Sequence, residues 1–168
     1  MRIAIPLVSL GFLAVCGLYA RSSAMSTPYV SAASPQDAGR YLVIVGGCND
    51  CHTPGWDQSQ GRLPESKWLL GSDVGFRGPW GTSYPANLRL FVAHTSEAKW
   101  LRLAHAGMGD PPMPWANLHA LSTRDARAIY AFVKALGPAG VEAAAYVPPN
   151  REPTTPYIVF EPRQPARP

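Results

Sequence analysis

The spacing of apolar residues predicts a first helix over residues 35–48. Its apolar stripe follows the i, i+3, i+4, i+7 pattern of one helix face and consists of Ala38, Tyr41, Leu42 and Val45. Ser34 suits the N-cap position, and Pro35 suits the first helical position, where its missing N–H would have no partner. This helix leads directly into the cysteine-containing stretch GGCNDCHTP.

Two further helices are predicted in the second half of the chain. One covers residues 96–106 and ends before Gly107. The other lies within LSTRDARAIYAFVKALG, where Ser122 and Asp125 resemble a capping box. The buried stripe of this last helix consists of Ala126, Ile129, Tyr130, Val133 and Leu136. The intervening stretch GDPPMPWAN contains three prolines, and we predict that it is not helical.

Residues 53–94 show no long hydrophobic period. They contain six glycines and a set of large aromatic residues, namely Trp56, Trp68, Phe76, Trp80, Tyr84 and Phe91. A long irregular segment is uncommon inside a small domain, and three short helices offer little surface to cover these aromatic side chains. The pattern therefore indicates that the chain wraps a large apolar group, such as a cofactor.

Residues 1–24 have the pattern of an export signal. Arg2 precedes the apolar run IAIPLVSLGFLAVCGLY, and the small residues SSA at 22–24 fit a cleavage site. The alternative is an uncleaved N-terminal anchor, although the run is slightly short of a membrane span. Removal of this segment would take Cys16 with it and leave only two cysteines.

The remaining chain divides by composition. We expect a linker over 25–33, a folded domain over 34–138 and a proline-rich tail over 139–168, which should be extended or polyproline-like. The chain has 168 residues, 46% of them apolar and 15% charged, as expected for one globular domain with appendages. Its net charge falls from +4 to +2 if Arg2 and Arg21 are removed. Without a Lys/Arg cluster, nucleic acid is not an expected partner.

The motif Cys48-Asn49-Asp50-Cys51-His52 admits three chemistries. A zinc site would need further ligands, and no second cysteine pair exists. A thiol–disulfide exchanger places its C-x-x-C at the start of a helix, whereas these cysteines follow the predicted helix. In c-type haem attachment, both sulfurs bond to the porphyrin and the adjacent His coordinates the iron. Export fits haem attachment, which is the interpretation the residues favour, with the other two as alternatives.

The chain resembles class I c-type cytochromes with a single haem. More narrowly, it is similar to the domains of the cytochrome subunits that serve membrane-bound alcohol, aldehyde or gluconate dehydrogenases. The matching stretches are GGCNDCHTP, GPWGTSYPANL, the helix with Trp100, DPPMPW and LSTRDARAIYAFVKALGP, which together cover about residues 34–138. Those subunits usually carry several C-x-x-C-H motifs, whereas this chain has one.

The resemblance implies that Met113, in the proline-flanked loop before the last helix, is the second axial ligand opposite His52. Pro112 and Pro114 restrict this backbone, so that the thioether is held at little entropic cost. Met108, on a glycine-flanked turn, is the competing candidate. A His ligand or an open position is the remaining alternative.

Further contacts are predicted around the cofactor. Arg77, Trp80 and Tyr84 carry hydrogen-bond donors that suit haem propionates. The resemblance implies that a backbone carbonyl near Pro54 accepts the ring N–H of His52. It also implies that Gly39 and Tyr41 contact the last helix, with Tyr130 as the contacting residue of that helix.

These expectations combine into one prediction. The fold is all-α, a small cytochrome c fold with three main helices and long loops around one covalently attached haem c. The protein is exported to the periplasm, or anchored there, and transfers single electrons as a carrier or subunit for a dehydrogenase or respiratory chain. Its partners are a redox donor and acceptor, with a membrane-bound dehydrogenase or oxidase complex as a candidate. It is not itself an enzyme; the alternative is a haem c ligand sensor or haem enzyme with a displaceable sixth ligand.

Overall fold

The computed structural model describes residues 28–162 and residue 165. The predicted signal segment 1–24, with Cys16, lies outside the described residues. The helices are α1 (Pro35–Val45), α2 (Cys48–His52), α3 (Leu88–Ala93), α4 (Glu97–Ala106), α5 (Trp115–His119) and α6 (Thr123–Leu136). The strands are β1 (Gly75–Gly78), β2 (Gly81–Ser83) and β3 (Tyr157–Val159), and a single 3-10 turn covers Glu65–Lys67. In this part of the chain, every helix is too short or too polar to cross a membrane.

The three longer helices, α1, α4 and α6, confirm the helices predicted from apolar spacing. Each begins at a serine whose hydroxyl oxygen accepts a hydrogen bond from the backbone N–H three residues later. These N-caps are Ser34, Ser96 and Ser122, with distances of 3.1, 3.3 and 3.0 Å. Such a cap satisfies one of the N–H groups that the first turn leaves without a partner.

The prediction that the first helix continues to Cys48 is wrong. Helix α1 ends at Val45, and a separate short helix begins at Cys48. Between them, Gly47 takes a left-handed backbone conformation with φ of 69°, which glycine adopts readily because it has no Cβ. Cys48 is thus the first residue of a helix of its own, so the expectation that the cysteines lie at the end of a helix, which counted against a thiol–disulfide exchanger, is also wrong.

Helices α1 and α6 pack closely through Gly39. A Cβ at this position would lie 2.0 Å from the carbonyl oxygen of Ala128, so only glycine allows this approach. The predicted contact of Gly39 with the last helix is therefore confirmed. Tyr41, in contrast, is 53% exposed, and Tyr130 donates its hydroxyl to the carbonyl oxygen of Thr95 at 2.9 Å.

Aromatic side chains connect the irregular segment to the helical core. Trp68 is 3% exposed, and its ring meets Phe132 of α6 and Trp56 edge-on, with centroid distances of 6.1 and 5.1 Å. Trp100 of α4 donates its indole N–H to the carbonyl oxygen of Ala126 at 2.6 Å. Some of the loop aromatics are thus covered by the protein itself, so these side chains do not need a cofactor to bury them.

The prediction of an all-α fold is wrong, because the described residues also contain a three-stranded sheet in the order β2-β1-β3. Strands β1 and β2 form an antiparallel hairpin around the two-residue loop Pro79–Trp80, and β3 pairs with β1 in parallel. Strands of three or four residues are too short for an alternating pattern to stand out. The partner of β1 is also about eighty residues away in the sequence, which local patterns cannot reveal.

The described part of the tail folds back onto the domain. Its β3 strand completes the sheet, and Val147 forms an antiparallel bridge with Thr82, in which the two backbone N–H···O distances are 2.7 and 2.9 Å. Asn87 donates its side-chain amide to the carbonyl oxygens of Ala139 and Val141 at 2.8 and 3.0 Å. Extended proline-rich backbone therefore serves here as part of the sheet and of its flank.

Helix α5 begins inside the stretch GDPPMPWAN, which we predicted to be non-helical. The prediction holds for residues 109–114, whereas Trp115, Ala116 and Asn117 are helical. Pro114 occupies the N-cap position, where it has no intrahelical N–H to donate and so permits a helix to follow it.

Candidate functional site

Helix α2 carries the whole C-x-x-C-H motif in little more than one turn. Cys48 and Cys51 are three residues apart, a spacing that places two side chains on the same side of a helix. Both are half-buried free thiols and form no disulfide with one another. The helix therefore presents two thiols together, with His52 at its C-terminal end.

His52 is 9% exposed and is held by one hydrogen bond. Its Nδ1 lies 2.7 Å from the carbonyl oxygen of Ala86; a carbonyl only accepts, so Nδ1 carries the proton. Burial lowers the pKa of His52, although the Ala86 hydrogen bond opposes that shift. The ring is therefore neutral near pH 7, with the Nε2 lone pair left to bind a metal.

The expected carbonyl acceptor for His52 is present, but not near Pro54. Ala86 lies thirty-four residues after the histidine. Its neighbour Asn87 is fully buried, caps α3 through Oδ1 and holds the tail through Nδ2. The acceptor of the His52 N–H is thus fixed by a residue that joins α3 to the tail.

Thr53, the residue after His52, binds Asn49 and Leu69 through its side chain, and we call these three residues the brace of His52. The buried hydroxyl of Thr53 donates to Oδ1 of Asn49 at 2.7 Å and accepts from the backbone N–H of Leu69 at 2.8 Å. Leu69 is fully buried and has a left-handed backbone with φ of 60°, a conformation that costs energy outside glycine. The backbone oxygen of His52 accepts from the N–H of Gly71 at 2.9 Å. These contacts fix the histidine backbone as well as its ring.

The two thiols have the opposite character from catalytic thiols. Burial raises the pKa of Cys48 to about 11. The pKa of Cys51 is also raised, first by burial and then by the carboxylates of Asp50 and Asp57. Reactive or metal-binding cysteines are thiolates with lowered pKa values. Nor do three His, Cys, Asp or Glu side chains converge on a metal position anywhere in residues 28–162, where a zinc site would need four ligands.

Met113 lies in a loop that is held by hydrogen bonds at Gly107 and Pro111. The side chain of Met113 is half-buried, whereas Met108 is 88% exposed. His119 Nε2 lies 2.8 Å from the carbonyl oxygen of Gly107, which closes the loop. The hydroxyl of Ser83 donates to the carbonyl oxygen of Pro111, which fastens the loop to strand β2. Of the two candidate methionines, Met113 is the one with a defined place in the fold.

Two buried indole nitrogens have no hydrogen-bond partner within residues 28–162. They belong to Trp80, in the hairpin loop, and to Trp115, two residues after Met113. A buried N–H without an acceptor is unfavourable, so these two donors fit a bound group that carries acceptors, such as the carboxylates of haem. Sequence reasoning missed Trp115, although the signal PPMPW contains it.

Arg77 and Tyr84, which were predicted to contact the cofactor, both contact the tail. Nη1 of Arg77 donates to the carbonyl oxygen of Arg151 at 2.9 Å, and Nη2 lies 3.2 Å from Oε2 of Glu152. The Tyr84 hydroxyl lies 2.7 Å from Oγ1 of Thr155. Both side chains therefore bind the tail, and of the three donors predicted for propionates only Trp80 has a buried N–H without a partner in the described chain.

A surface cleft of about 470 Å³ lies between residues 30–38 and the start of α6. Arg124 and Arg127 line it together with small apolar side chains. None of the motif residues, and neither methionine, contributes to this cleft. It is separate from the candidate site around α2.

Comparison of the chain with protein-family models, with curated proteins and with solved structures found no match.

Proposed function

We propose that the chain is a single-haem c-type cytochrome that transfers single electrons. The observation that carries this proposal is the state of His52: it follows two neighbouring thiols, and a backbone carbonyl binds its Nδ1–H. That arrangement keeps Nε2 as the free nitrogen and holds the ring in one orientation. A thiol exchanger has no need of it. A zinc site could use such a histidine equally, but no group of three His, Cys, Asp or Glu side chains that could hold a metal ion lies within residues 28–162.

The residues of this chain fit the group. Cys48 and Cys51 would form the two thioether bonds, His52 would supply one axial ligand and Met113 the other. The indole N–H groups of Trp80 and Trp115 are available for carboxylate oxygens. Haem c, when attached, supplies the one-electron Fe(III)/Fe(II) couple. The protein contributes attachment, ligands, a braced histidine and partial exclusion of water, which together tune the potential.

The proposal includes export to the periplasm and redox proteins as partners. The resemblance to cytochrome subunits suggests a membrane-bound dehydrogenase or oxidase complex as donor or acceptor. If His52 and Met113 both bind the iron, they would leave no ligand site there for a substrate, so the chain would serve an oxidoreductase rather than be one. The half-buried Met113 in its fastened loop favours this function over ligand sensing.

The decisive experiment is a pyridine haemochrome spectrum, with haem staining on a denaturing gel. The full chain should be exported in a host with cytochrome c maturation machinery. We expect a haem c spectrum at one haem per chain that survives denaturation, and its loss when both cysteines are replaced by serine. Wild-type protein without covalent haem would refute the proposal.

A pair of histidine variants tests the proximal ligand. His52→Ala should prevent maturation or abolish the low-spin spectrum, because Nε2 is lost. His94→Ala is the matched control, since His94 is exposed at the end of α3 and should leave the spectrum unchanged. A normal low-spin spectrum in His52→Ala would contradict the assignment. Rapid, complete binding of carbon monoxide by the reduced wild type would instead favour a sensor or haem enzyme.

A further inference from the structure

The hairpin loop residue Trp80 is held by the tail on two sides. Its carbonyl oxygen accepts the hydroxyl of Tyr146, and its ring lies 6.5 Å from that of Phe160. On the hairpin side, a Cβ at Gly78 would lie 2.4 Å from the Trp80 ring, so the indole rests directly on the glycine backbone. Both the backbone and the ring of Trp80 are thus positioned by neighbours, while its N–H has no partner in the described chain.

The tail is fastened to the same hairpin by donors that flank Trp80. Arg77 of β1 binds the backbone of Arg151 and the carboxylate of Glu152. Tyr84, just after β2, lies 2.7 Å from the hydroxyl oxygen of Thr155. The polar groups of Arg77 and Tyr84 thus form hydrogen bonds with the tail. A shift of the tail would break contacts with β1 and with the residue after β2.

The segment that follows Trp80 contacts both halves of the candidate site. Ser83 binds the loop of Met113 through the carbonyl oxygen of Pro111. Ala86 accepts the Nδ1–H of His52. Residues 83–86 follow the hairpin directly and contact both His52 and the loop of Met113. A displacement of the hairpin would therefore shift the contacts of both proposed ligands.

We propose that the C-terminal tail is a positioning element for Trp80, and that it holds the indole N–H ready for an anionic acceptor. The identity of that acceptor, a haem carboxylate, rests on the proposed function. Tyr146 is then a positioning residue that acts through Trp80. A donor on the carboxylate offsets negative charge near the iron, so that its loss favours the oxidised state.

The experiment compares the midpoint reduction potentials of Trp80→Phe, Tyr146→Phe and the double variant with wild type. At a fixed ambient potential, Trp80→Phe should lower the ratio of reduced to oxidised protein about three- to tenfold, tenfold being 59 mV for a one-electron couple. Tyr146→Phe should lower it in the same direction, and the double variant should go no further than Trp80→Phe, because the two act through one contact. Tyr146 is 46% exposed, and removing one hydroxyl should leave the fold intact.

Tyr41→Phe is the matched control. Tyr41 lies on α1 rather than in the tail and is 53% exposed, and the reduction potential of this variant should equal that of wild type. An unchanged reduction potential in Trp80→Phe would refute the proposal that the Trp80 indole N–H donates to a haem carboxylate. An unchanged potential in Tyr146→Phe, additive effects in the double variant or an equal effect of Tyr41→Phe would overturn the positioning role.

A second measurement does not depend on haem. Hydrogen exchange of the Trp80 indole N–H, followed by NMR, should be faster in Tyr146→Phe than in wild type or Tyr41→Phe. If wild-type protein carries no haem, the proposed function fails, yet this exchange still tests whether the tail holds the indole. Equal exchange rates in all three proteins would overturn the tail's role.

Discussion

The brace of His52 makes Thr53→Val the most informative substitution. Valine has nearly the shape of threonine, so packing changes little, while the buried hydroxyl is lost. That hydroxyl makes two hydrogen bonds, to Oδ1 of Asn49 at 2.7 Å and from the N–H of Leu69 at 2.8 Å. Thr53 itself is 2% exposed, so water has little access to replace it.

The magnitude follows from the groups left without partners. Each buried polar group that loses its only partner costs about 1–3 kcal/mol, and here two are affected. The buried methyl group that replaces the hydroxyl offsets less than about 1 kcal/mol. Leu69 also loses a contact that helps to hold its left-handed backbone. We expect the free energy of unfolding to fall by about 2–4 kcal/mol, with a loosened His52 as the functional consequence.

Urea unfolding, followed by far-ultraviolet circular dichroism, measures this loss. The midpoint should fall by about 1–2 M with an unchanged slope, since the surface exposed on unfolding stays the same. Thr154→Val is the control, because Thr154 is exposed and should change stability by no more than about 0.5 kcal/mol. A Thr53→Val protein as stable as this control would show that the brace contributes nothing.

Two further predictions concern helix packing and the second ligand. Gly39→Ala should lower the free energy of unfolding by about 2 kcal/mol or more, because overpacking 2.0 Å from the oxygen of Ala128 outweighs the better helix propensity of alanine. Ala135→Gly, at an exposed position of α6, measures propensity alone, about 1 kcal/mol; a stabilised Gly39→Ala would contradict the packing argument. In the haem-loaded protein, Met113→Ala should abolish the near-infrared sulfur-to-iron band, and Met108→Ala, at an 88% exposed residue, should retain it. The reverse result would reassign the ligand.

The longer helices and their caps could be predicted because their causes are local. A serine cap and the N–H it satisfies are three residues apart, and an apolar stripe repeats every turn. The error at the end of α1 is instructive for the same reason. Gly46 and Gly47 stand in the sequence as a break, but the apolar stripe carried the predicted helix past them to Cys48.

The candidate site was predictable only where its chemistry is contiguous. The motif on α2 is a run of five residues, and the loop of Met113 is marked by its prolines. The partners of Arg77 and Tyr84 were not predictable, because a strong donor binds whichever acceptor the fold brings nearest. Here those acceptors belong to a tail about seventy residues later in the chain.

By itself, the sequence determined the elements whose forces act within a few residues: the capped helices, the non-helical backbone over residues 109–114 and the adjacency of two thiols and a histidine. Only the tertiary structure decided that a tail strand would complete a sheet, that Ala86 would choose the tautomer of His52, and that Trp80 would keep an unpartnered N–H within the described residues. Backbone sterics and capping depend on neighbours in sequence. Hydrogen-bond partners and strand pairing depend on neighbours in space, which the packing of α1 against α6 and the return of the tail bring together.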